Sequence, residues 1–130
     1  MDTTNTQRVI KFRFWNPPGK AFVQQYKYKG LVDELFERDD MLIPSQYTDI
    51  KDCNGKEIWE GDIIEFERPL TKKDSKKYTA IIYYEDAAYL IKTKDTEGTL
   101  THSLLHDLSN FIYTWKVKVI GNKFEHPKLL

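Results

Sequence analysis

The chain has 130 residues, 40% hydrophobic and 14% aromatic, a length that suits one domain and a composition that can fill its interior. Its 20 Lys plus Arg balance 20 Asp plus Glu, which excludes the strongly basic field of a non-specific nucleic-acid binder and leaves little colloidal repulsion against self-association. A single cysteine, Cys53, excludes an intramolecular disulfide framework, and no apolar run approaches the roughly 20 residues of a membrane-spanning helix.

Met1–Gln7 is polar and unlike a signal peptide, so a cytoplasmic location is expected. Arg8–Trp15 alternates, with Ile10, Phe12 and Phe14 on one side and Lys11, Arg13 and Trp15 on the other, the pattern of a half-buried strand. Asn16-Pro17-Pro18-Gly19 ends it, and Lys20–Tyr28 reads as the return strand of a hairpin. Leu31–Arg38 repeats apolar residues at i, i+4 and predicts a short helix. The apolar run Met41–Ile43 is expected to stop at Pro44.

Asn54-Gly55 and Gly61 set turns on either side of Lys56–Glu60, and Ile63–Glu67 resumes as a strand. Pro69–Lys77 reads as a charged, solvated loop. Two strands follow, Tyr78–Tyr84, apolar on both faces and therefore central, and Ala88–Thr93. Asp95–Gly98 makes a turn, and Ser103–Asn110 predicts one or two helical turns capped by Thr101 or Ser103. The last strand is expected over Tyr113–Ile120, with Trp115, Val117 and Val119 opposing Lys116 and Lys118.

Short strands at even spacing with turn residues between them predict a mainly β fold, a small SH3-like, partly open barrel. Residues 1–130 read as one domain: 46–130 form the barrel-like core, and the hairpin and short helix of 8–45 pack on it, since Ile10, Phe12 and Phe14 need a partner surface.

Three segments, Ile10–Trp15, Gln46–Ile64 and Val119–Leu130, resemble the YopX family of phage and prophage proteins in order and spacing. The middle one resembles a family motif approximating Gln-Tyr-Thr-Gly-Leu-Lys-Asp-x-Asn-Gly-Lys-Glu-Ile-Tyr-Glu-Gly-Asp-Ile. Asp49 stands where Gly is frequent, Trp59 where Tyr is, and His126 where Asn is; Asp tolerates positive φ better than most residues, which preserves the turn. The resemblance implies a phage-type protein in the bacterial host cell, and no catalytic residues to carry over.

Five candidate chemistries remain. Glu57, Glu60, Asp62, Glu65 and Glu67 could supply an acid–base pair or hold a cation, but carboxylates around turns also cap exposed amides. His102 and His106, at i, i+4, fall short of the three or four ligands of a zinc site. Cys53 has acidic neighbours that disfavour a reactive thiolate, and reads as an incidental exposed thiol. Lys11, Arg13 and Trp15 would form one cationic face with Lys116 and Lys118 if the first and last strands lay side by side. Asn54, Gly55, Ile58, Trp59, Gly61 and Asp62 read as a structural corner.

No cofactor or metal is expected. The leading reading is a non-catalytic accessory protein that binds a protein partner or itself. The alternatives are a nucleic-acid-binding factor using the cationic face, and an enzyme with carboxylates near Glu57, Glu60 and Asp62.

Overall fold

The alternating segments pair as antiparallel strands in the computed structural model, which describes residues 9–23, 42–94 and 100–129. The helix expected at Leu31–Arg38, the end of the Lys20–Tyr28 strand and the Asp95–Gly98 turn lie outside the described residues. Strands β1 (Phe12–Asn16), β2 (Ala21–Val23), β3 (Ile43–Lys51) and β4 (Glu57–Trp59) form one sheet in the order β2-β1-β3-β4. Strands β5 (Asp62–Pro69), β6 (Ser75–Glu85), β7 (Ala88–Lys94), β8 (Leu100–Leu104) and β9 (Lys118–Asn122) form the other in the order β8-β7-β6-β5-β9.

The five-stranded sheet curls into a half-barrel, so the mainly β, barrel-like expectation stands. Its inner face carries Ile64, Phe66, Ala80, Ile82 and Ile91, and the helix α1 (Leu105–Ser109) with the loop after it covers them through Leu105, Leu108, Ile112 and Val117. Ile58, fully buried, brings the four-stranded sheet into the same core. Each such aliphatic side chain contributes about 1.5–3 kcal/mol by leaving water.

The chain departs from the expected pattern at five places. Pro44 does not end a segment: it sits inside β3 opposite Phe14. The β3–β4 pairing runs only from Tyr47 to Lys51, so at Pro44 one side of β3 has no ladder among the described residues, and a missing N–H is tolerated there. Phe14 and Trp15 are both buried while Ile10, before β1, and Phe12 are exposed; β1 is covered on both faces only toward its end, where Trp15 turns inward on the side of Arg13 and its partner Asp62.

The expected loop at Pro69–Lys77 is shorter. Leu70–Asp74 turns, closed by the Leu70 and Thr71 N–H groups on the Asp74 carbonyl, and Lys76 and Lys77 belong to β6. The helical turns begin late: Thr101 and Ser103 lie in β8, and Leu104 precedes α1 without a side-chain cap.

Finally, Tyr113–Lys116 is not strand. Trp115 N–H donates to the Phe111 carbonyl and Val117 N–H to the Ile112 carbonyl, both at 2.9 Å. Lys116 takes φ 52°, which breaks the alternation, and β9 starts at Lys118.

Candidate functional site: a motif clasp and an aromatic groove

The segment between β3 and β5 is organised by two buried carboxylates. Asp52 Oδ1 accepts from the Asn54 and Lys56 N–H groups, each at 2.9 Å, and its Oδ2 accepts from Val119 N–H at 2.9 Å. One side chain thus shapes the Asn54-Gly55 turn and ties it to β9. Asp62 Oδ2 accepts from Trp59 N–H at 2.7 Å, and its Oδ1 pairs with Arg13 Nη2 at 2.7 Å. Burial pushes the Asp62 carboxyl above the usual aspartate range, while Arg13 and the Trp59 N–H pull the other way.

Backbone geometry agrees with the turn chemistry. Asp49 has φ 65° beside a bulge in β3, Gly55 has φ 81° and Gly61 has φ 88°. Gly61 also donates to the Ile82 carbonyl at 2.7 Å and accepts from Lys123 N–H at 2.8 Å. A Cβ there would stand 3.1 Å from the Phe124 ring. Gly61→Ala is therefore expected to destabilise by about 1–3 kcal/mol, combining positive-φ strain with a steric contact, as measured by urea denaturation. Of the expected anchors, Ile58 and Ile63 are fully buried, but Trp59 is only half-buried. Its ring covers Lys11 and Arg13, whose cationic groups lie 5.8 and 5.2 Å from its centroid.

The cationic face expected from Lys11, Arg13, Trp15, Lys116 and Lys118 does not come together. β1 and β9 belong to different sheets. Lys11 pairs with Glu57 and Arg13 with Asp62. The Trp15 ring is buried, stacked 5.5 Å from Phe124 and edge-on to Phe22 at 5.0 Å. Lys116 sits in a turn, and Lys118 lies opposite Glu65.

Four of the five acidic residues are likewise distributed among separate partners, and Glu67 lies in β5 opposite Lys77. Besides the two pairs above, Glu60 Oε1 accepts weakly from Gln46 N–H at 3.4 Å, and Glu65 stands 3.8 Å from Lys77. His102 lies in β8, with Nδ1 at 2.6 Å from the Tyr83 hydroxyl, and His106 lies in α1, so they share no helical face. Among the described residues no three His, Cys, Asp or Glu side chains are placed to share a metal ion. Cys53, expected as an exposed thiol, is half-buried against the core, and its N–H donates to the Val117 carbonyl at 2.8 Å.

One open cleft, of about 380 Å³, lies at the clasp itself and is lined by Arg13, Glu57, Trp59, Asp62, Glu125 and His126; a second open feature lies along the mouth of the half-barrel. A cleft of about 300 Å³ runs between the β5–β6 hairpin on one side and β8 with α1 on the other. Its wall is a run of near-parallel rings: Phe111 on Trp115 at 4.3 Å and 9°, Trp115 on Phe66 at 5.9 Å and 16°, and Phe66 on Tyr78 at 5.3 Å and 17°. Arg68 lies 5.8 Å over the Trp115 ring and Lys76 lies 5.7 Å over Tyr78. Glu67 N–H donates to the Trp115 carbonyl at 2.9 Å, fixing the loop against β5. Leu104 and Phe111 are about two-fifths exposed at the rim, and Asp107 stands among them.

Sequence reading missed this groove because its rings come from β5, β6 and a loop mistaken for strand. The Asp52 hub had a local signal: an Asp two residues before Asn54 can accept from its N–H and build an Asx turn.

These features define a β-rich, barrel-like protein with two sheets clasped at a carboxylate-centred corner and an aromatic groove at the mouth. The chain belongs to the YopX protein family, whose model matches residues 11–130. In the crystal structure of protein EF1440 from Enterococcus faecalis the same fold recurs, with a TM-score of 0.65 and 23% identity over 95% of this chain and 99% of that one. Comparison with curated proteins gives no match. No helix among the described residues is long and apolar enough to cross a membrane.

Proposed function

We propose that this YopX-family chain is a phage- or prophage-type accessory protein of the bacterial cytoplasm that acts by binding, without catalysis, and that a protein partner docks in the aromatic groove. One observation carries the reading: the groove combines the exposed Phe111 and Leu104 side chains, the half-buried Tyr78 and Trp115 rings, the charged Arg68 and Asp107 and a few hydroxyl groups in an open cleft, the mixture expected of a recognition surface. The carboxylates that would serve an enzyme are instead engaged with Lys11, Arg13 and backbone N–H groups that hold the corner together.

Two groove variants, Phe111→Glu and Leu104→Glu, test this. Both side chains are partly exposed, so the melting temperature should move little. Partners crosslinked to wild-type protein in cells should be lost from both variants and kept by Lys118→Glu, a control on β9. Unchanged capture by the groove variants would contradict the reading. Capture lost only on changing Glu57 or Glu60 would favour the enzyme.

A further inference from the structure

We infer that a second copy of this chain pairs with the outer edge of β8, antiparallel about a two-fold axis at His102, joining the two five-stranded sheets into one. The inference goes beyond the groove reading and does not need it.

The first argument is which sheet edge lies open. An edge strand presents unpaired N–H and C=O groups that invite another strand, and folded proteins block it with charge, proline, shortness or a cover. β2 and β4 have three residues each, and Asp62 takes the Trp59 N–H of β4. On β9, Asp52 takes the Val119 N–H and the His126 N–H caps the Asn122 carbonyl. β8 is five residues long, contains no Lys, Arg, Asp, Glu or Pro, and pairs only with β7 among the described residues.

The second argument is the order of residues in that strand, and it selects the occupant. Leu100-Thr101-His102-Ser103-Leu104 has a leucine at each end, a hydroxyl residue next to each, and His102 at the centre. Antiparallel pairing about His102 therefore sets Leu104 opposite residue 100 of the second copy and Ser103 opposite residue 101. Each pair matches in kind and shares a face of the sheet, as a two-fold interface requires. A foreign strand would gain the same backbone bonds, but only a second copy matches every cross-strand pair.

The surroundings agree. His102, Ser103 and Leu104 are exposed, and the zero net charge of the chain opposes no second copy. The Tyr83 hydroxyl, 2.6 Å from His102 Nδ1, holds that ring against its own sheet and away from the strand edge.

Sedimentation velocity on the full chain tests this. Wild type should form a dimer whose share grows with concentration. His102→Lys sets two lysines opposite across the axis and should raise the dissociation constant by about tenfold or more. In a Cys53→Ser background, His102→Cys should yield a reducible covalent dimer, because opposed antiparallel residues stand about 4.5–5.5 Å apart at Cα, within disulfide reach. Leu104→Cys should not, since its two copies would be four residues out of register and more than about 13 Å apart. A monomer at every concentration, a dimer indifferent to His102→Lys, or one locked by Leu104→Cys or by Ile120→Cys on β9 and not by His102→Cys would overturn the inference. None of these results depends on Phe111, so the groove reading stands or falls separately.

Discussion

Arg13→Leu is expected to lower folding stability by about 3–5 kcal/mol near neutral pH, because it leaves the Asp62 carboxylate buried without its counter-charge. The Asp62 side chain is 3% exposed and that of Arg13 is 17% exposed, so water cannot replace the lost partner without opening the corner. Leucine fills much of the volume of the arginine stem, and the effect therefore reports charge more than packing.

The pH dependence gives the prediction its sign. Burial already raises the Asp62 pKa above its unfolded value, with Arg13 opposing. A raised carboxyl pKa means that Asp62's contribution is fully present below the unfolded pKa and is lost as pH rises through the folded one. Removing Arg13 raises the folded pKa further. The deficit relative to wild type should thus be greatest near pH 7 and shrink as pH falls through the raised folded pKa, being smallest at the unfolded aspartate value of about 4. Urea denaturation of both proteins at the two pH values checks this; a deficit that stays constant would assign Arg13 a packing role only.

Asp52→Ala should cost about 2–4 kcal/mol, since a side chain that is 1% exposed accepts three backbone N–H groups. A lost charge-assisted bond leaves each donor to find water or stay unsatisfied, at about 1–3 kcal/mol where it is buried. Asn54 and Lys56 are exposed and can recruit water; Val119, half-buried in β9, cannot do so as easily. Asp52→Asn should fall between, because its amide oxygen can keep the two turn bonds while the link to Val119 is lost. Hydrogen exchange should show the Val119 amide losing protection in both variants. Retained protection at Val119 would mean that β9 is held by β5 alone.

The sequence made legible what local chemistry decides. Gly55 and Gly61 take the positive φ that their turns require, Asp49 adopts the conformation its glycine-like place demands, and the strands around Ile64, Ile82 and Ile91 follow from their apolar runs. What tertiary pairing decides stayed hidden. Arg13 looked solvent-facing because its partner Asp62 lies far along the chain, and Trp15 turned inward with it. Pro44 looked like a stop, although the missing ladder beside it makes it compatible with β3. The Trp115-Lys116-Val117-Lys118 alternation matched a strand, yet the positive φ of Lys116 curls it into the loop that builds the groove. The family resemblance located the clasp and left the groove unmarked, since Phe111, Trp115 and Tyr78 lie outside its motifs.

Site-specific photo-crosslinking in cells bears most directly on the groove as the functional surface. A photoreactive phenylalanine analogue is placed at Phe111 on the groove rim, and in a second protein at Lys118 on β9, with irradiation during expression in the native host. Adducts of defined mass should form from position 111 and diminish with Arg68→Glu, while position 118 stays uncrosslinked. Adducts that form from position 118 and not from 111 would contradict it.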